Sequence, residues 1–102
     1  MADIQNLLQL GQQMQGRLQK LQTVLADHRV RASAGAGLVR VAVDGRGTVR
    51  SIDIAPEAFE GRDADLLSDL VLSAVAEAQR QASELAQAEM RRADVVAGFS
   101  PF

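Results

Sequence analysis

The stretch RVRASAGAGLVRVAVDGRGTVRSIDIAP, residues 29–56, decides the fold of this chain. Apolar and polar residues alternate along it, which is typical of strands with one buried face. Gly35-Ala36-Gly37 and Asp44-Gly45 interrupt the alternation, and the second pair is a common signal of a hairpin turn with positive φ angles. The stretch therefore predicts three antiparallel strands within residues 28–54. Pro56 closes the sheet because it cannot donate to a strand ladder.

The segment before the sheet predicts a long helix over residues 3–27. Apolar residues and one glycine recur at alternating spacings of three and four and form a heptad seam: Ile4, Leu7, Gly11, Met14, Leu18, Leu21 and Leu25. Glutamines, which favour helices, cover much of the remaining surface. The solvated face of this helix is therefore polar but scarcely charged.

The segment after the sheet predicts a second helix over residues 63–92, which Asp63 or Asp65 can cap. One side of it is lined by small and apolar residues: Leu67, Val71, Ala74, Ala78, Ala82 and Leu85. Because alanines let another backbone approach closely, we expect this side to pack against a partner helix. Residues 93–102 are predicted to form a tail, and residues 1–102 a single α+β domain.

The lengths of these elements imply a second copy of the chain. The first helix is roughly 37 Å long at 1.5 Å per residue, whereas three strands make a sheet only about 14 Å across and about 23 Å long. Each helix must extend beyond its own sheet. An apolar stripe beyond the sheet needs a cover, and a homodimer is the simplest one.

The composition excludes several classes of protein. The 102 residues contain no cysteine and one histidine, which excludes disulfides, thiolate zinc sites and thiol catalysis and makes a histidine metal site improbable. The sequence has no apolar run of the 18 or so residues that a membrane span needs, and its start lacks the basic residues of a secretion signal. We expect a cytoplasmic protein with no membrane contact and no cofactor.

The motifs that resemble catalytic sites have simpler explanations. Gly35-Ala36-Gly37 runs into a strand rather than a helix, so it predicts a turn and not a phosphate loop. His28 has no serine or cysteine motif to serve as its nucleophile. The acidic residues that follow the sheet are spread along a helix as a solvated face is: Asp63, Asp65, Asp69, Glu77, Glu84 and Glu89. We expect no enzyme and no small-molecule substrate.

The charge is segregated along the chain, although the formal net charge is only -2. Residues 29–50 contain five arginines and one acid, whereas residues 63–94 contain seven acids and three arginines. Several guanidinium groups on a small sheet could bind successive phosphates of a nucleic acid. An arginine-rich surface that only keeps the sheet soluble explains the same pattern equally well. The three phenylalanines, at 59, 99 and 102, lie outside the predicted strands, which argues against recognition of single strands by stacking.

Taken in order, these segments resemble the YbaB/EbfC family of bacterial nucleoid-associated proteins. The most specific part is Gly35-Ala36-Gly37-Leu38-Val39-Arg40-Val41, followed by the Asp44-Gly45 turn and Ile52-Asp53-Ile54-Ala55-Pro56. The resemblance extends over essentially the whole chain, including the LLSDLVLSAVAEA helix of residues 66–78 and the GFSPF tail.

The resemblance implies a homodimer of αβββα protomers, each with a three-stranded antiparallel sheet and two long projecting helices, that binds duplex DNA and organises the nucleoid or regulates genes. The projecting helices are the contact usually proposed in the family, but the first helix here has only two basic residues. We therefore divide the predicted phosphate contacts between helices and sheet: Arg17, Lys20, Arg29, Arg31, Arg40, Arg46, Arg50, Arg91 and Arg92. The alternative function is a protein-interaction or scaffolding module with negligible DNA binding, which the overall acidic charge favours.

Overall fold

The computed structural model describes the backbone of residues 2–96 and the side chains of residues 3–92. Helix α1 spans Ala2–Asp27, strands β1, β2 and β3 span Arg29–Ala34, Val39–Asp44 and Val49–Ile54, and helix α2 spans Ala64–Val96, with a short 3₁₀ helix at Pro56–Phe59. The order of elements is the predicted αβββα, and the fold is α+β as expected. The strands pair in the order β1-β2-β3, and both pairs are antiparallel.

The second helix is longer than the sequence predicts. Asp63 is its cap, since its Oδ1 accepts a hydrogen bond from the backbone N–H of Leu66 at 3.0 Å. The helix continues to Val96, so the prediction of a tail is wrong for residues 93–96. The physical reason is that no glycine or proline occurs before Gly98 to stop the helix. Residues 97–102 of the predicted tail lie outside the described part of the chain.

The core lies between the inner face of the sheet and α2. Val39, Val41 and Val43 of the central strand are at most 2% exposed, and the α2 alanines at 74, 78 and 82 are at most 1% exposed. The prediction that this alanine stripe meets a partner helix is therefore wrong, because it covers the sheet of its own chain. Methyl side chains let the helix backbone approach the valines closely enough to fill the layer between them.

The turn between β2 and β3 differs from the expected Asp44-Gly45 hairpin. The glycine with a positive φ, 87°, is Gly47. Gly45 serves a different purpose, because its backbone N–H donates to the carbonyl oxygen of Leu25 at 2.7 Å and a side chain would collide with that residue. The turn therefore attaches the C-terminal end of α1 to the sheet.

Most of α1 extends away from the rest of the chain, as the lengths of the elements predict. Leu25 at its base is 5% exposed, whereas Leu7 is 67% and Leu18 is 58% exposed. The molecule measures 71 × 24 × 19 Å, far longer than the sheet itself. The apolar seam of α1 is thus bare along most of its length in the protomer.

Candidate nucleic-acid interface

The face of the sheet opposite α2 is polar and open. The strand register places Arg31, Ala42 and Ser51 side by side in one row. The next row along the strands consists of Ser33, Arg40 and Asp53. These six residues line a shallow groove of about 340 Å³, and Ala42, which is 9% exposed, forms its floor. Because Ser33, Ala42 and Ser51 have short side chains, the longer side chains of Arg31 and Arg40 project beyond them.

Arg31 and Arg40 are diagonal neighbours on this open face, a relation that separates residues by about 7–8 Å. Both are exposed. Among the residues that the structure describes, neither guanidinium forms an ion pair, even though Asp53 lies directly across from Arg40 in the register. Their hydrogen-bonding groups are therefore available for an external anion.

Arg50, in contrast, is held by a carboxylate of its own chain. Asp44 is 0% exposed, and its Oδ2 accepts a hydrogen bond from Arg50 Nε at 3.1 Å and lies 3.0 Å from Arg50 Nη2 in the same ion pair. Its Oδ1 accepts the backbone N–H groups of Arg46 at 2.9 Å and Thr48 at 3.0 Å. A register shift between Ala42 and Val43 leaves Arg50 without a partner residue in β2 and interrupts the simple alternation of β3.

The same contacts set the ionisation of Asp44. Burial acts to raise the pKa of its carboxyl, but the backbone hydrogen bonds from Thr48 and Arg46 and the contact with Arg50 outweigh burial, so the pKa is lowered. The carboxylate is thus charged at neutral pH and cancels the charge of Arg50 locally. The same network fixes the turn that presents the exposed Arg46.

The remaining predicted contacts are dispersed. Arg29 Nη1 donates to the carbonyl oxygens of Ala26 at 2.8 Å and His28 at 3.0 Å, so this arginine caps the C-terminal end of α1. Arg92 Nη1 lies 3.4 Å from Glu89 Oε1, and Arg91 is exposed beside it.

Arg17 and Lys20 lie on the polar side of α1, along a surface lined also by Gln13, Gly16, Gln19 and Thr23. The helical rise puts Arg17 about 15 Å from the end of α1 at Asp27. The two residues are therefore separate from the open face of the sheet. Of the nine predicted residues, the structure brings Arg31 and Arg40 together on one face and leaves the others apart from them or engaged within the chain.

The acidic helix lies on the other side of the sheet. Arg80 of α2 forms ion pairs of 2.6 Å with both Glu77 and Glu84. Hydrogen bonds from Arg80 and then Gln81 lower the pKa of the Glu77 carboxyl to about 2. Arg80 thus neutralises one of these two carboxylate charges on the surface of α2.

Sequence reasoning missed the polar residues that lie beside the two arginines on this face, namely Ser33, Ser51 and Asp53. Alternation along each strand indicates which residues share a face, but only the register shows which of them stand side by side. The available sequence signal was the apolar alternation of Val39, Val41 and Val43, which assigns the residues between them to the opposite face. The burial of the three valines agrees with that assignment.

The described residues lack a membrane-spanning helix and a cluster of metal-binding side chains. Between residues 2 and 96, no helix combines the length and apolar character that crossing a membrane requires. Among the side chains of residues 3–92, no group of three or more histidine, aspartate or glutamate residues is arranged to hold a metal ion.

Comparison with known proteins agrees with this architecture. The chain is 43% identical over 88 residues to a nucleoid-associated protein of Saccharopolyspora erythraea, a match covering 86% of this chain and 76% of the relative. It is 42% identical over 85 residues to a nucleoid-associated protein of Chloroflexus aggregans, covering 83% of this chain and 85% of the relative.

The fold is also similar to the crystal structure of an uncharacterized protein from Helicobacter pylori. The TM-score is 0.75 at 20% identity, and the match covers 84% of this chain and 90% of that one. The model of the YbaB/EbfC DNA-binding family matches residues 1–95, nearly the whole sequence. The chain therefore belongs to the YbaB/EbfC DNA-binding family.

Proposed function

We propose that this protein binds duplex DNA as a homodimer, through contacts between arginines and phosphates, and so helps to organise the nucleoid or to regulate genes. The observation that carries the proposal is the pair Arg31 and Arg40, exposed side by side on a sheet face with a floor of small residues. Membership of a DNA-binding family and the names of the relatives support it. We expect the protein at the nucleoid, in the cytoplasm, with no catalytic activity.

The contacts of the other predicted arginines indicate which of them are free to bind phosphate. Arg46 at the tip of the β2–β3 turn is the natural extension of the face, whereas Arg29 and Arg50 are engaged in holding the fold. Arg17 and Lys20 on α1, together with Arg91 and Arg92 on α2, would add phosphate contacts where a bound duplex reaches the helices. Phosphate contacts fix position but carry little sequence information, so we expect modest sequence preference.

Dimerisation doubles the positive face and covers the bare seam of α1. A dimer that presents Arg31 and Arg40 from both protomers has four free guanidinium groups, and the log of affinity should then fall against the log of salt concentration with a slope of about -3.6. If Arg46 of each protomer also contacts phosphate, the slope steepens to about -5.4.

The test is a titration of duplex DNA at several salt concentrations, on the unmodified protein and on matched variants. Arg40→Gln removes one charge from the open face, and Arg80→Gln removes one from α2 on the other side of the sheet. We expect Arg40→Gln to weaken binding to all sequences alike and to reduce the slope by about 1.8 in a dimer. Arg80→Gln should leave the slope unchanged, and equal effects of the two variants would refute the assignment of the face.

A protein-interaction or scaffolding role is the second candidate, and the exposed leucines of α1 favour it. In that case the unmodified protein would fail to bind duplex DNA even at about 50 mM salt, where phosphate contacts are strong. Light scattering on the same samples tests the homodimer, which should have twice the 10.9 kDa mass of one chain.

A further inference from the structure

Ser33 is the neighbour of both arginines on the open face of the sheet. It lies directly across from Arg40 in the strand register, a relation that places the two Cβ atoms about 4.5–5.5 Å apart. Arg31 is two residues earlier on the same face of β1, about 7 Å away along the strand. All three residues are exposed. Both guanidinium groups can therefore reach an anion that is attached to the Ser33 hydroxyl.

Among the hydroxyl side chains of residues 3–92, only Ser33 lies next to both Arg31 and Arg40. Ser51 is on the same face, but it lies across from Ala42, and Asp53 follows it two residues later on β3. An anion on Ser51 would meet the negative charge of Asp53 and have only the diagonal Arg40 as a nearby cation. Ser51 is therefore a matched control for Ser33 on the same surface.

We propose that Ser33 is a phosphorylation site and that its phosphate blocks the open face against DNA. A protein kinase transfers the γ-phosphoryl group of a nucleoside triphosphate to Oγ of Ser33. The bond between Oγ and phosphorus forms while the bond from phosphorus to the β-phosphate oxygen breaks, the hydroxyl proton is lost to solvent, and a nucleoside diphosphate leaves. The blocking of the face rests on the proposed DNA binding, whereas the phosphate site itself does not.

A phosphoserine at this position competes directly with the phosphates of a duplex. It carries a charge of about -1.5 to -2 at pH 7 and three acceptor oxygens, and arginine binds phosphate through paired hydrogen bonds. One such group can cancel the single positive charges of Arg31 and Arg40. Because it belongs to the same chain, its effective concentration at the two arginines exceeds that of a free duplex. The two guanidinium groups are then occupied before DNA arrives.

The position of Ser33 also suits the approach of a modifying enzyme. β1 is an edge strand, with β2 on one side and no strand of the described residues on the other. An edge strand presents an extended backbone with free hydrogen-bonding groups, a form that strand-adding partners recognise. Arg29 and Arg31 precede Ser33 in this strand, so the segment complements an acidic substrate groove.

Phosphorus NMR tests the phosphate site without DNA. The protein is prepared with phosphoserine at residue 33 and, separately, at residue 51, and the chemical shift of the phosphate is followed against pH. Nearby cations favour the dianion, so the pKa of the second ionisation at residue 33 should lie below that of residue 51. Arg40→Gln should raise the pKa at residue 33. Equal pKa values at the two positions would refute the site.

A titration of duplex DNA then tests the blocking of the face. Phosphoserine at residue 33 should weaken binding by about tenfold or more at low salt. It should also reduce the magnitude of the salt slope by up to about 3.6, because the four free guanidinium groups of a dimer are occupied. Phosphoserine at residue 51 adds the same charge and should weaken binding less. Both are measured well below the Tm of each form, so that loss of the fold does not explain the result.

The outcomes distinguish the phosphate site from the proposed function. A lowered pKa at residue 33 with undiminished DNA binding refutes the blocking of the face. If the unmodified protein fails to bind duplex DNA, the proposed function fails, and the NMR comparison still decides the phosphate site. Phosphopeptide analysis of the protein isolated from its native cells should locate phosphate on Ser33, and phosphate on other residues alone, or on none, contradicts the modification.

Discussion

The attachment of α1 to the sheet depends on one glycine, and Gly45→Ala should disrupt it. A Cβ atom at residue 45 would lie 2.6 Å from the carbonyl oxygen and 3.0 Å from the Cα atom of Leu25. Both are backbone atoms, so no rotation of a side chain relieves the contact. The carbonyl oxygen of Leu25 also accepts the N–H of His28 at 3.2 Å, which restricts its movement further.

The cost follows from the displacement that the methyl group requires. Ordinary van der Waals contact begins near 3.4 Å, so the end of α1 must move by close to 1 Å. Overpacking of this kind costs about 1–3 kcal/mol, and weakening the 2.7 Å hydrogen bond from Gly45 to Leu25 adds about 1 kcal/mol. We therefore expect a loss of about 2–4 kcal/mol in the free energy of unfolding. For a domain of this size, that loss lowers Tm by at least about 8 °C.

Thermal denaturation at a fixed protein concentration measures the effect, because self-association also changes Tm. Gly16→Ala is the matched control, since Gly16 is exposed in α1 and a Cβ there meets nothing within 4 Å. Alanine should raise stability at that position by up to about 1 kcal/mol through helix propensity. Unfolding of Gly45→Ala at the temperature of the unmodified protein would refute the close approach of α1 to the turn.

Two further predictions concern α2. Ala78→Leu should lower the free energy of unfolding by about 1–3 kcal/mol, because Ala78 is 0% exposed against the sheet. Ala76→Leu, at an exposed position of the same helix, is the control and should leave the denaturation midpoint nearly unchanged. Hydrogen bonds from Arg80 and then Gln81 lower the pKa of Glu77 from 4.5 to about 2, so its stabilisation is complete above pH 4.5 and is lost as the pH falls toward 2. The Tm of Glu77→Gln should therefore fall less than the Tm of the unmodified protein as the pH is lowered over that range. An equal fall in Tm would contradict the role of this carboxylate.

The sequence predicts much of this fold because its local signals agree with one another. Alternation along residues 29–54 predicts the three strands, and the heptad seam predicts the length of α1 to within one residue. Gly35-Ala36-Gly37 joins β1 to β2, which confirms the prediction of a turn rather than a phosphate loop. Each of these features depends on residues close together in the chain.

The errors arise where distant residues meet. Apolar periodicity shows which side of α2 is buried, but not whether a sheet or a helix covers it, so Ala78 was assigned the wrong partner. The positive φ angle lies at Gly47 because Gly45 is needed for the approach of Leu25, a contact across some 20 residues. The ion pair of Arg50 with Asp44 depends on a register shift that simple alternation cannot reveal.

The distribution of paired and unpaired charge reconciles a net charge of -2 with the proposed binding to a polyanion. Arg80 neutralises one of the two carboxylate charges of Glu77 and Glu84, and Arg50 neutralises Asp44, so these pairs reduce the repulsion of the acids. The acidic helix and the open face lie on opposite sides of the sheet, and packed layers are about 10 Å apart. Since the Debye length at physiological salt is about 8 Å, a phosphate at the open face is governed by the nearby guanidinium groups more than by the total charge.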